Sequence, residues 1–94
     1  MLSRKKSNCI QKDEYLFCPS RIKFKKYDVY SLATKKKIAS FGDNRYEQYY
    51  DAIGFYTLKN HGDKKRKKRY YQRHGSMKKT KKETPKWFSH KYLW

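Results

Sequence analysis

Between Lys59 and Lys82 the chain carries twelve basic residues against one acid, Asp63. At the centre of this run, DKKRKKRYYQRHG reads as a helix that starts from an Asp63 N-cap and stops at Gly75. Lys64, Lys65, Arg66, Lys67, Lys68, Arg69 and Arg73 charge nearly its whole circumference and leave Tyr70, Tyr71 and His74 to face a core. Like charges at i, i+3 and i+4 each cost a few tenths of a kcal/mol, so together they cost the helix on the order of 1–2 kcal/mol. The cations also crowd the N-terminal half, where the helix dipole disfavours them. An ordinary soluble helix would intersperse Glu, and this one has none. The segment therefore reads as a surface for something negative rather than as a solvated face.

The balance of the whole chain points the same way. In 94 residues, 26 Lys and Arg stand against 8 Asp and Glu, a formal charge of +18. Self-repulsion at that density opposes compaction unless a polyanion neutralises it. A chain this short makes one small domain and buries only a little over about 60% of its unfolded surface, so its core is thin. The polyanions to weigh are nucleic acid, an acidic protein lattice and an anionic membrane. The membrane ranks last, because the basic helix has no clean apolar face opposite its charges. No run approaches the roughly 18 apolar residues of a membrane span, and MLSRKKSNCIQKDEY lacks the apolar stretch of a secretory signal, so an intracellular setting is expected.

Along the chain, the periodicity predicts an α+β domain. Residues 1–20 form an extended arm that docks through the apolar knot Tyr15, Leu16 and Phe17. Residues 21–75 form the core. In RIKFKKYDVYSL, Ile22 and Phe24 share one face, and Tyr27 and Val29 continue the alternation after a one-residue slip, as in a bulged strand. IASF is a second strand, which makes a β-hairpin. RYEQYYDAI then places Tyr46, Tyr49, Tyr50 and Ile53 at helical spacing with Gly54 as the C-cap, so a first short helix packs on the hairpin and the basic helix is the second. Those tyrosines read first as core, with stacking on bases as the alternative. Residues 76–86 form a flexible basic linker carrying Lys78, Lys79, Lys81 and Lys82. Thr84 and Pro85 then start a helical segment whose Trp87, Phe88, Tyr92, Leu93 and Trp94 either complete the core or anchor into a partner protein.

No catalytic constellation emerges, so an enzyme is not expected. There is no glycine-rich phosphate loop and no paired-carboxylate signature, and neither cysteine has a neighbouring histidine in sequence. Cys9 and Cys18 are too far apart for a zinc knuckle, and His61, His74 and His90 follow no ligand spacing, so neither metal nor cofactor is expected. Two cysteines allow one bridge, but reduced thiols are the better reading for an intracellular chain.

Three segments in order, FGDNRYEQYYD, DKKRKKRYYQRHG and WFSHKYLW, resemble a family of small basic proteins of unknown function (DUF5754) from nucleocytoplasmic large DNA viruses. The likeness spans residues from about 24 to 94 and departs in the lysine-rich link between Gly75 and Trp87. It implies a viral setting: the virion, or a virus factory in the host cytoplasm or nucleus. The expected function is phosphate binding by the basic residues, aiding genome packaging, with duplex DNA favoured because a basic helix fits the major groove. The alternative is a minor capsid or cement protein whose basic residues meet acidic capsid surfaces while the aromatic terminus anchors between subunits.

Overall fold

The computed structural model describes residues 9–94. Four antiparallel strands in sequence order form a meander: β1 (Ile10–Lys12), β2 (Tyr15–Pro19), β3 (Lys25–Ser31) and β4 (Lys37–Asp43). Two helices follow, α1 (Lys64–His74) and α2 (Pro85–Tyr92), and the class is α+β. Strand alternation sets the core face. Tyr15, Phe17, Tyr27, Val29 and Phe41 are buried, with Phe17 opposite Val29 and Tyr27 opposite Phe41.

That face needs a cover, and α2 supplies it. Phe88 meets Tyr15 edge-on at 5.1 Å and stacks over Phe41 at 5.4 Å, while Tyr92 meets Phe17 at 4.7 Å. Such pairs add about 0.5–1.5 kcal/mol each beyond the area they bury. Trp87, Phe88, Tyr92 and Leu93 are therefore interior, and of the five residues expected as partner anchors Trp94 alone is half-buried. Among the described residues α2 is the helix packed on this aromatic face, so the face takes up these side chains within the chain itself. The start of α2 is as the sequence indicates: Thr84 Oγ1 accepts from the Trp87 N–H, and Pro85 occupies the first turn.

The arm expected over residues 1–20 is corrected where it is described. Residues 1–8 lie outside the described residues, and Ile10–Lys12 pairs with Tyr15–Pro19 as the first hairpin of the sheet. With Ile10 opposite Phe17, residues 9 and 18 fall opposite each other one step further out. Cys9 and Cys18 are joined there by a disulfide, with Cα atoms 4.2 Å apart, where reduced thiols were the expectation. Strand pairing, invisible to an argument from compartment, brings the sulfurs together. The second hairpin is present as expected, but its slip is divided between two places. Phe24 sits at φ 69 ahead of β3, leaving Ile22 and Phe24 on the surface, and the ladder shifts register between Val29 and Tyr30.

No helix forms over residues 45–53. Tyr46 and Tyr50 are exposed, whereas the polar Gln48 and Asp51 are fully buried. These two side chains do what a helical ladder would otherwise do, binding nearby backbone groups in a non-helical path. Asp51 accepts from the N–H groups of Ile53 and Tyr56, each at 2.8 Å, and from the Tyr27 hydroxyl at 2.5 Å. Gln48 donates to the Tyr56 carbonyl at 2.8 Å and to Asn60 Oδ1 at 2.6 Å. The N–H groups of Tyr50 and Ala52 then bond to the carbonyls of Leu93 and Tyr92, so the loop also caps the end of α2. The linker expected over 76–86 is likewise tied down: Met77–Lys79 is a 3-10 turn, Met77 packs on the core, and Glu83 accepts from the Tyr15 hydroxyl at 2.7 Å.

Candidate nucleic-acid interface

The basic helix forms between the boundaries its sequence marks. Asp63 Oδ1 accepts from the N–H of Lys65 at 2.9 Å and of Arg66 at 3.3 Å, and Gly75, at φ 83, donates to the Tyr71 carbonyl. Its hold on the body comes from two tyrosines. Tyr70 stacks on Trp94 at 4.4 Å with the rings nearly parallel, and the Tyr71 hydroxyl donates to the His90 carbonyl at 3.1 Å. Arg66 adds an ion pair with Glu47 at 2.8 Å, and Lys67 lies over the Tyr49 ring at 4.5 Å. Glu47 gives Arg66 the acidic partner that the helix's own sequence lacks. Among the described residues no ion pair engages Lys64, Lys65, Lys68, Arg69 or Arg73.

α1 does not stand off as a free rod. Between it, the end of β4 and α2 runs an open cleft of about 770 Å³, within the size range of sites that hold small ligands. Arg66, Arg69, Tyr70, Arg73 and His74 form its α1 wall; Lys25, Asp43, Tyr46 and Glu47 lie along the sheet side; Lys86 and Ser89 come from α2; Phe41, Gly42, Leu93 and Trp94 also line it. Gly42 lies close under Leu93 and Lys26: a Cβ there would stand 3.0 Å from both side chains, and the residue sits at φ 76. Each carboxylate on the cleft is already engaged. Glu47 holds Arg66, and Asp43 holds Arg45 through two bonds of 3.0 and 2.7 Å that pull its carboxyl down to about 2. His74 is held below its ordinary value by partial burial and by the neighbouring Lys86 and Arg73, so it is neutral at pH 7.

Beneath the cleft, Lys26 is fully buried and donates from Nζ to Gln48 Oε1. Burial drops its pKa to about 8; Lys59 nearby pushes further in that direction, and Asp51 opposes it. Of the residues singled out from the sequence, the structure gathers Arg66, Arg69 and Arg73 into the cleft. Lys64, Lys65 and Lys68 are exposed on the rest of α1. Lys78 and Lys82 are exposed further along, and Lys79 and Lys81 border a second, shallower depression with His74, Thr84 and Lys86.

Sequence reasoning missed Lys25 and Lys86, and read Tyr46 first as core with stacking on bases as the alternative. Lys25 and Lys86 are single cations outside the dense run, and only the fold carries them to it. Tyr46 was assigned to a core-facing helix, yet it is 63% exposed, with Arg45 between its ring and that of Phe24 at 5.4 and 4.1 Å. Among the described residues no helix is long and apolar enough to cross a membrane, and no group of three or more His, Cys, Asp or Glu side chains is placed to hold a metal. No family model, curated protein or solved structure matches this chain.

Proposed function

We propose that this chain is a non-enzymatic nucleic-acid-binding protein that grips phosphates with α1 and with the lysines of residues 78–82. We further propose that it is virion-associated and aids the packaging of a large DNA genome. The observation that carries the binding reading is the charge on α1, where of seven cations Arg66 alone has an ion-pair partner among the described residues. An array of that density is stabilised by releasing the counter-ions condensed on a phosphate backbone. The viral setting rests on the resemblance of FGDNRYEQYYD, DKKRKKRYYQRHG and WFSHKYLW to the viral family. The competing reading, a cement protein between capsid subunits, is weakened because its aromatic anchors are occupied in the core.

The test is a salt titration of the full chain against a random-sequence duplex and a single strand, with Lys65, Arg66, Lys68 and Arg69 changed together to Gln in parallel. Engagement of about eight phosphates gives a slope of log affinity on log salt near −7 for a duplex and nearer −6 for a single strand. The quadruple variant flattens that slope. Absence of binding to both polymers at physiological salt would sink the reading and favour acidic capsid surfaces as the partner.

A further inference from the structure

We propose that the nucleic acid held by this chain is single-stranded, seated in the cleft between α1 and the β4–α2 edge, with its phosphates on Arg69 and Arg73 and a base stacked on Tyr46. The inference rests on the nucleic-acid reading above and names the form of the polymer and the face that takes it.

The two kinds of cation on α1 are sorted by direction. Arg66, Arg69, Tyr70 and Arg73 recur at i, i+3, i+4 and i+7, one helical face, and all four line the cleft. None of the helix's four lysines does. A surface that only needed positive charge would not separate them. Guanidinium forks hold phosphate oxygens in pairs and stack on flat rings, whereas an ammonium acts as a point charge. The residue type suited to directed phosphate contact is the one turned inward.

The cleft also has the shape and the ring for a single strand. Lys25 from β3 and Lys86 from α2 also line the cleft, so a backbone seated in it meets cations from three elements. At about 770 Å³ the cleft is of small-ligand size, room for a length of unpaired backbone and a base rather than for a whole duplex. An unpaired strand can turn its bases outward onto aromatic rings. Tyr46 lies at the rim, backed by Arg45, which Asp43 neutralises and holds, so the exposed ring is braced without competing for phosphate. Phe24 packs on the other side of Arg45 at φ 69, outside the cleft lining, and helps hold the guanidinium in place.

The experiment measures binding of the full chain to oligothymidine and to a random-sequence duplex, each about 30 units long, at physiological salt. The variants are R69Q/R73Q, K64Q/K65Q/K68Q, Y46A and Y46W, all at exposed positions and each checked for a native circular dichroism spectrum. The expected result is tighter binding to oligothymidine than to duplex. R69Q/R73Q loses about 30-fold or more on oligothymidine, while the lysine triple, which removes more charge, loses only about threefold. Y46A loses about tenfold on oligothymidine with little change on duplex, and Y46W restores it. Duplex binding as tight as single-strand binding, or a lysine triple as damaging as the arginine pair, would overturn the proposal and leave phosphate binding by the outer face intact. An unaltered affinity in Y46A would remove the stacking site. Failure of both polymers to bind would end this proposal together with the reading it rests on.

Discussion

Lys26, which bonds Gln48, and Asp51 are both buried, and neither forms an ion pair among the described residues. Because the folded chain holds the Lys26 proton less tightly than the unfolded chain, stability rises with pH between about 8 and the ordinary lysine range, and it levels off below 8, where both states carry the proton. At about 1.4 kcal/mol per pKa unit, the swing is of the order of 3 kcal/mol. Tyr27 acts in the opposite sense: burial and then its bond to Asp51 push its pKa well up, so its contribution is present below about 10 and is lost above. Urea midpoints from pH 7 to 11 should climb to a maximum near 10 and then fall, and K26M should lose the climb while keeping the fall. Equal slopes in the two proteins would show that Lys26 titrates normally. This network was the least legible part of the sequence. Gln48 and Asp51 look like the polar positions of a tyrosine-faced helix, and nothing local says that they are the buried ones. Only the presence of Tyr27, Tyr56 and Asn60 as partners reverses the choice.

Both helices that form were legible from their boundary chemistry, although Gly54 also marked a helix over residues 45–53 that does not form. Asp63 and Gly75 enclose α1, and Thr84 with Pro85 opens α2, because cap bonds are local and depend on residues a few positions apart. The first hairpin was obscured by brevity: β1 has three residues, and Tyr15 and Phe17 show one step of alternation. The Cys9–Cys18 bond secures this short edge strand where its ladder is too small to do so alone. The same logic locates the weakness of α1, which leans on the body through Tyr70 and Tyr71, with Arg66 on Glu47 and Lys67 on Tyr49 near its start, and depends on its cap. D63A removes two cap bonds together with the helix's single acid at the cation-rich end, and should cost about 1 kcal/mol of helix stability. Amide exchange should accelerate through α1 while β2 and β3 stay protected, and the loss should shrink in high salt as the lysines are screened. Uniform acceleration across sheet and helix would instead mean that α1 and the sheet open as one unit.

At the scale of the molecule, the C-terminal segment decides whether there is a fold. Phe88 touches rings from β2 and β4 and from α2 itself, and F88A should cost about 3–5 kcal/mol. For a domain of this size that is much of the total stability. F88A should therefore melt far below the wild type, with F88L in between, and removal of residues 87–94 should leave no cooperative transition. A truncated chain that still melts cooperatively would return the aromatic terminus to the role of partner anchor. The sequence left both roles open because eight residues cannot show whether their aromatic face meets this sheet or another protein's.

The cleft takes its walls from positions as distant as Lys25, Arg69, Lys86 and Trp94, so it exists only once the chain has closed on itself. A strand seated there would meet a site that only the folded state offers, although the unfolded chain keeps the same charge and a weaker hold on phosphates. At a free concentration a hundred times its dissociation constant, it would add at most about 2.7 kcal/mol to stability, reduced by its affinity for the unfolded chain, while relieving the repulsion that works against compaction. The polyanion would then be part of what keeps the protein folded, and a chain this basic would be most stable where nucleic acid is most concentrated.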